Sequence, residues 1–392
     1  MYPTISDFLK DILGVYLPLP IQTFGFFMAL GFVFAAYTLQ LELKRKEKEG
    51  LLKPIYKKIL KGAPFKKNVY ITSSIIGLII GYKLIGAFTD YNSFAENPQT
   101  YILSLNGSFI GGLIGIVSGY YNTYRNDKKQ RLEKPEYKEI EFHPYELTGN
   151  IVILAALFGL IGAKVFNSLE NIDDFIADPI DSLISFSGLT FYGGLIFAAI
   201  AIIYYTNKKG ISFKVLTDSA APGLMLAYAI GRMGCHFSGD GDWGIVNTSP
   251  KPTIFSFLPD WFWSYRFPHN VINEGIKMEG CIGKHCYILP QPVYPTSLYE
   301  IIMGIIIFII LWSLRKKIRI SGMLFFIYLT FNGIERFFIE KIRVNVKYHI
   351  FGHGITQAEI ISSLLIITGI AGILYLIKDS FLPSNINKNN HS

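Results

Sequence analysis

Long apolar stretches recur along this chain, and their recurrence limits its fold more than any other feature. About nine of them reach the roughly 17–25 residues that carry a helix across a bilayer. They fall near 21–40, 69–88, 103–122, 150–168, 186–205, 216–234, 298–314, 321–339 and 356–377. Inside lipid every backbone amide needs a partner within its own segment, so stretches of this length must be helices. Of the 392 residues, 51% are hydrophobic and 17% charged, too apolar for an ordinary soluble domain. The sequence therefore predicts an all-α polytopic membrane protein with about nine transmembrane helices.

The charge pattern orients those spans. A net charge of +8 raises the question of nucleic acid, but the basic residues sit in alternate loops, as the positive-inside rule requires. Lys44, Arg45, Lys46 and further lysines up to Lys67 fill the first loop. The next, 89–100, holds Asp90 and Glu96 and no basic residue. Arg125, Lys128, Lys129, Arg131, Lys134 and Lys138 follow, then an acidic stretch at 170–181, then Lys208, Lys209 and Lys214. Arg315, Lys316, Lys317 and Arg319 close the seventh span. Nine spans reproduce this alternation with the N-terminus outside and the C-terminus inside, and nucleic acid is excluded as a partner.

The expected organisation is an external N-terminal segment over 1–20, without the basic start of a cleavable signal peptide. The first span and an inserted two-span unit occupy 21–149. Spans four to six occupy 150–235. A small external head loop over 236–297 follows, with Trp243, Trp261 and Trp263 resting on the outer membrane surface. Spans seven to nine occupy 298–377, and a cytoplasmic tail runs over 378–392. In the head, Cys281 and Cys286 flank His285. Outside the cytoplasm a disulfide is the ordinary outcome, with a metal site using His285 and His236 as the alternative.

An internal repeat is also visible. Gly77-Leu78-Ile79-Ile80-Gly81-Tyr82-Lys83 precedes Gly111-Gly112-Leu113-Ile114, and Gly159-Leu160-Ile161-Gly162-Ala163-Lys164 precedes Gly193-Gly194-Leu195-Ile196. Each unit reads as a small-residue helix with a lysine, an outside loop, and a helix opening at Gly-Gly. Small residues let membrane helices approach closely.

Four polar groups interrupt the apolar pattern near span ends. They are Thr190-Phe191-Tyr192-Gly193-Gly194; the run Gly231-Arg232-Met233-Gly234-Cys235-His236-Phe237-Ser238-Gly239-Asp240-Gly241-Asp242-Trp243-Gly244; Tyr294-Pro295-Thr296-Ser297-Leu298-Tyr299-Glu300; and the segment 331–343. In that last segment Asn332, Arg336, Glu340 and Arg343 have the spacing of one polar helix face. Ionisable groups at membrane depth are costly and mark function or a close partner.

In this order the four groups resemble the prolipoprotein diacylglyceryl transferase family, bacterial inner-membrane enzymes. The family signature is similar to Gly231-Arg232-Met233-Gly234 with Gly239, Trp243 and Gly244. Its His-Gly-Gly loop resembles Tyr192-Gly193-Gly194, its His-Pro-Ser-Gln-Leu-Tyr-Glu stretch resembles 294–300, and its Arg-Phe…Glu…Arg helix resembles Arg336, Glu340 and Arg343. Gly354-Ile355-Thr356-Gln357 resembles the family's last span, and Phe24-Gly25 its first. There are departures. Tyr192 stands for a histidine, Cys235 for an asparagine, Asp240 for a glutamate in a loop one residue longer, and Phe24 for a tyrosine. Residues 41–149 add two spans to the family's usual seven.

The resemblance implies transfer of the diacylglyceryl group of phosphatidylglycerol to the lipobox cysteine thiol of a prolipoprotein signal peptide. A thioether forms, glycerol phosphate leaves, and neither cofactor nor metal is implied. Both substrates arrive laterally among the membrane lipids, with the active site toward the outer face of the cytoplasmic membrane. Tyr192, Arg232, Arg336, Glu340 and Arg343 are the candidate catalytic residues. Gly193, Gly194, Gly234, Cys235, His236, Asp240, Gly244, Tyr294, Tyr299 and Glu300 are the candidate substrate-binding residues. The chemistry agrees. Guanidinium binds phosphate bidentately and stays charged, as a phosphodiester donor requires. The acceptor attacks as thiolate and needs a base, for which Tyr192, His236 and Asp240 all stand open.

Other readings of the same residues are a salt-bridge ladder of Arg336, Glu340 and Arg343, and a snorkelling Arg232. Tyr192 and Tyr294 fit an aromatic belt, and Glu300 a simple partner for an arginine. Competing functions are a relative with a different lipid or acceptor, suggested by Tyr192 and Cys235, and a lipid-binding or transport protein built on the repeat.

Overall fold

The computed structural model describes residues 1–15, 17–96, 98–179, 190–345, 347–350 and 353–381. The opening of the predicted span 186–205 and most of the predicted tail 378–392 lie outside the described residues.

A short helix α1 (Ile5–Leu13) is followed by α2 (Thr23–Lys48), α3 (Lys67–Thr89), α4 (Phe109–Gln130), α5 (Thr148–Glu170) and α6 (Phe191–Asn207). Then come α7 (Phe213–Ser238), α8 (Thr296–Leu314), α9 (Met323–Glu340) and α10 (Gln357–Phe381). Every apolar stretch read from the sequence carries one of these helices. Among the described residues five of them, α2, α3, α5, α8 and α10, are long and apolar enough to cross a membrane. α6 is a shorter apolar helix. α4, α7 and α9 are diluted by charge: Arg125, Asp127, Lys128 and Lys129 in α4, Asp218 and Arg232 in α7, Glu335, Arg336 and Glu340 in α9.

The all-α expectation needs one correction. Three two-stranded antiparallel ribbons occupy the connections: β1 (Ile55–Lys61) with β2 (Glu136–Phe142), β3 (Ile276–Lys277) with β4 (Tyr287–Ile288), and β5 (Lys347–Ile350) with β6 (His353–Thr356). Length and hydropathy reveal spans, whereas a ribbon of a few residues leaves no such signal.

The chain forms two compact units. The first comprises Met1–Leu52, Leu147–Val152 and Ile203–Ser392. In it α7 packs on α2, α8 and α9, and α9 packs on α10. Buried Met225, Ile307, Leu311 and Leu324 make its core. The carboxylate of Asp218, in α7, accepts the N–H groups of Gly322 at 2.7 Å and Phe325 at 2.9 Å. Gly322 caps α9 without any side-chain acceptor of its own, so Asp218 satisfies amide donors that the helix start leaves open. This fixes the helix that carries Glu335, Arg336 and Glu340. The connection between α7 and α8 has its own small core of Trp243, Phe267, Leu289 and Val293. Cys281 and Cys286 are joined by a disulfide, which answers the question left by their spacing.

The second unit comprises Lys53–Glu146 and Ile153–Ile202. It holds two glycine-packed hairpins. Gly77 and Gly81 of α3 meet the backbone of Gly115 and Gly111 in α4, and Gly162 of α5 meets Gly193 of α6. A Cβ at these glycines would run into the facing backbone. The backbone N–H of Ser108 donates to the Tyr82 carbonyl at 2.9 Å, and that of Thr190 donates to the Ala163 carbonyl at 3.2 Å. These two bonds hold corresponding positions in the sequence repeat. Lys83 donates to the carbonyls of Tyr101 at 2.9 Å and Asn106 at 2.7 Å, which ties down the connection between α3 and α4.

Candidate active site

In the first unit three helices and one loop bring arginines and carboxylates together. α7 carries Arg232 in its last two turns, and α8 opens at Thr296 and puts Glu300 in its second turn. α9 ends at Glu340, with Glu335 and Arg336 close behind. Arg343 lies beyond that end, so the expectation of one continuous helical face over Asn332, Arg336, Glu340 and Arg343 is corrected. Asn332 faces the sulfur of Met225 at 3.9 Å, in the apolar core.

Arg343 is placed by backbone, not by a helix. Gly244 bridges to it, and the N–H of Ile245 donates to the Ile342 carbonyl at 2.9 Å. Gly244 donates in turn to the carbonyl of Tyr294 at 2.8 Å. A Cβ on Gly244 would stand 2.5 Å from the Ile342 oxygen and 2.8 Å from the Tyr294 Cβ. Only glycine permits this approach. Gly244 thus serves the site by letting two loops touch.

Glu300 is the hub. It is fully buried, and it pairs with Arg336 at 3.2 Å, Arg343 at 3.3 Å and Arg232 at 3.3 Å. The Tyr228 hydroxyl donates to it at 3.1 Å and also reaches Glu335 at 3.1 Å. Arg336 pairs again with Glu340 at 3.0 Å, and Asn345 donates to Glu340 at 2.6 Å. Buried charge persists only when paired in this way. Arg232 and Arg343 then converge on Asp242, one guanidinium on each carboxylate oxygen. Asp242 is 28% exposed, whereas Glu300 and Glu340 are sealed. The exposed end of the cluster is therefore a pair of arginines closed on a single carboxylate.

The remaining predicted residues divide. Cys235 is buried, with its sulfur 3.9 Å from Arg232. The donor atoms of Cys235, Asp240 and Asp242 lie within 4.8 Å of one another. Such a set suits a divalent ion in composition, but the two guanidiniums on Asp242 oppose a cation there. Burial, with Asp242 alongside, raises the Asp240 carboxyl above the usual carboxylate range. His236 is buried against Phe237 and Phe267, with its Nδ1 3.1 Å from the Ser297 hydroxyl. Tyr299 donates to the Phe262 carbonyl at 2.8 Å, and Tyr294 packs on Trp263. Gly234 packs on α2, where a Cβ would stand 3.2 Å from the Phe24 carbonyl oxygen and from the Phe27 Cβ. Tyr192, Gly193 and Gly194 belong to the second unit, where Gly193 and Gly194 pack on the backbone of α5. Tyr228, Asp242 and Glu335 escape a reading by sequence. Asp242 is overlooked because the longer loop offers two aspartates to one glutamate position. Tyr228 lies outside the four polar groups, and Glu335 lies in the last of them but off the spacing of Asn332, Arg336, Glu340 and Arg343.

These features define a helical membrane protein with a buried arginine–carboxylate cluster whose open end suits an anion. The prolipoprotein diacylglyceryl transferase family matches residues 128–375. A phosphatidylglycerol–prolipoprotein diacylglyceryl transferase of Shouchella clausii (strain KSM-K16) is 27% identical over 264 residues, covering 67% of this chain and 83% of the relative. Its namesakes from Staphylococcus aureus (strains MSSA476 and MW2) are 30% identical over 263 residues, covering 67% of this chain and 81% of theirs. The chain belongs to the prolipoprotein diacylglyceryl transferase family and is an enzyme, a transferase. Arg232, Asp242, Glu300, Arg336 and Arg343 all lie within the matched residues, and α3 precedes them.

Proposed function

We propose that this enzyme transfers the diacylglyceryl group of phosphatidylglycerol to the lipobox cysteine thiol of a prolipoprotein. The observation that carries the reading is the convergence of Arg232 and Arg343 on one partly exposed carboxylate. A lipid phosphodiester is a monoanion with paired oxygens, so it can replace the Asp242 carboxylate without changing the charge of the cluster. Arg232 and Arg343 hold the phosphate. The thiolate sulfur attacks the glyceryl carbon next to the phosphate ester. A C–S bond forms, the C–O bond breaks, and glycerol phosphate leaves with the electron pair. The same guanidiniums face the charge that grows on that leaving oxygen. Glu300, Arg336 and Glu340 hold them in place. The thiol proton passes to a base, for which the first unit offers His236 and Asp240.

In this reading nine spans put the N-terminus outside, the C-terminus inside and the cluster at the outer face of the cytoplasmic membrane, where lipid and signal peptide enter laterally. Residues 41–149 form an added hairpin beyond the catalytic core. The test is incubation of the purified full chain with phosphatidylglycerol and a lipobox peptide. The thioether product is expected, and Arg232→Ala and Arg343→Ala should each reduce it by about a hundredfold or more. Absence of product, or full activity in both variants, would overturn the reading.

A further inference from the structure

In the second unit the last three turns of α4 carry Tyr121, Tyr124, Arg125, Lys128 and Lys129 around a groove of about 330 Å³. The two tyrosines are 62% and 47% exposed. The cations are exposed as well, and none has a hydrogen bond or ion pair among the described residues. The buried carboxylate of α4 is already engaged. Asp127 is buried, and it accepts the N–H of Phe65 at 2.7 Å, the Tyr70 hydroxyl at 2.7 Å and Arg131 at 2.7 Å. In the adjoining ribbon Glu136 and Glu139 stand opposite Lys61 and Lys58 in register. The groove thus gathers three cations without an ion pair among the described residues at the charged end of α4, beside two exposed tyrosines of the kind that sit at membrane interfaces.

We propose that this groove binds the phosphate of an anionic phospholipid headgroup, in the leaflet on the side of the basic loops. Arg125 supplies planar donors for phosphate oxygens, and Lys128 and Lys129 add charge. The tyrosine rings flank the glycerol region, with their hydroxyls toward the headgroup. A zwitterionic headgroup brings its own cation and gains little from three unpaired cations. The site depends neither on the arginine cluster of the first unit nor on its chemistry.

The test uses the full chain in nanodiscs of phosphatidylcholine. They are doped with a phosphatidic acid analogue bearing a diazirine near its glycerol backbone, or with the matching phosphatidylcholine analogue. After irradiation the labelled peptides are mapped by mass spectrometry. The phosphatidic acid analogue should label the peptide around Tyr121, and unlabelled phosphatidic acid should compete. Arg125→Gln, Lys128→Gln and Lys129→Gln should each lower labelling roughly fivefold. Arg125→Lys, which retains the charge, should largely preserve it, and melting temperature serves as the check on folding. Equal labelling by the phosphatidylcholine analogue would reduce the feature to an aromatic belt. Competition by inorganic phosphate alone would make it a free-phosphate site. Indifference to the glutamine substitutions would remove the cations from it. Each of these three results overturns the proposal.

Discussion

Asp242→Asn separates stability from substrate binding more sharply than any other single change. The asparagine keeps the shape of the side chain and the backbone carbonyl that accepts the Thr296 hydroxyl at 3.0 Å. It removes the charge shared by Arg232 and Arg343, whose side chains are 17% and 12% exposed. Stripping a fully buried pair of one partner costs about 3–5 kcal/mol. Asp242 is 28% exposed and both arginines keep Glu300 at 3.3 Å, so a loss of about 2 kcal/mol is expected. The melting temperature in detergent without lipid should fall. Phosphatidylglycerol, however, no longer has to displace a carboxylate from the guanidiniums. Each 1.4 kcal/mol of competition removed lowers KM for the lipid about tenfold. The variant should therefore be less stable without lipid, gain more stability from added phosphatidylglycerol than the wild type, and show a lower KM. The assay is thioether formation across a phosphatidylglycerol titration, paired with melting at each lipid concentration. A KM raised as far as in Arg232→Ala would refute the reasoning, because Asp242 would then be a positioning residue and not a stand-in for the phosphate.

Three further outcomes follow from the same geometry. Gly244→Ala puts a methyl group against the Ile342 oxygen and the Tyr294 side chain. It should push Arg343 away from Asp242 and cut kcat/KM by about a hundredfold while leaving the helices folded, as circular dichroism would report. Asp218→Ala leaves two amides at the start of α9 without their acceptor. It should cost about 2 kcal/mol in detergent melting with little change in KM. Asp240 has a raised pKa in the fold, so its contribution to stability is complete in acid and is lost as pH rises through the folded value. Asp240→Asn should thus be more stable than the wild type at neutral pH, and the gap should close as pH falls toward the ordinary carboxylate value of about 4. A gap that widens in acid would contradict this sign.

The helices are legible in the sequence because bilayer thickness and backbone hydrogen bonding leave so few choices for an apolar stretch. Arg232, Glu300, Arg336, Glu340 and Arg343 are legible because ionisable residues in such stretches stand out. Their grouping follows from motifs that the fold gathers from separate parts of the chain. The roles of the glycines are less legible. Gly193 and Gly194 read both as part of a substrate site and as the small-residue opening of a helix, and in the fold they pack on α5 much as Gly111 packs on α3. A glycine required for close approach looks the same in sequence whether the neighbour is a helix or a substrate.

By itself the sequence determined the class of this protein. The succession of apolar stretches, the charges between them and the four polar motifs all rest on local composition and short spacing. Only the tertiary structure decided which charges meet. Glu300 faces three arginines, and Asp242, which already holds Arg232, meets Arg343 across 101 residues of chain. Pairing at that separation depends on a loop crossing at Gly244 and on the end of α9 stopping short of Arg343. Neither has a periodic signal, because both are set by how buried charges find partners once the helices have packed.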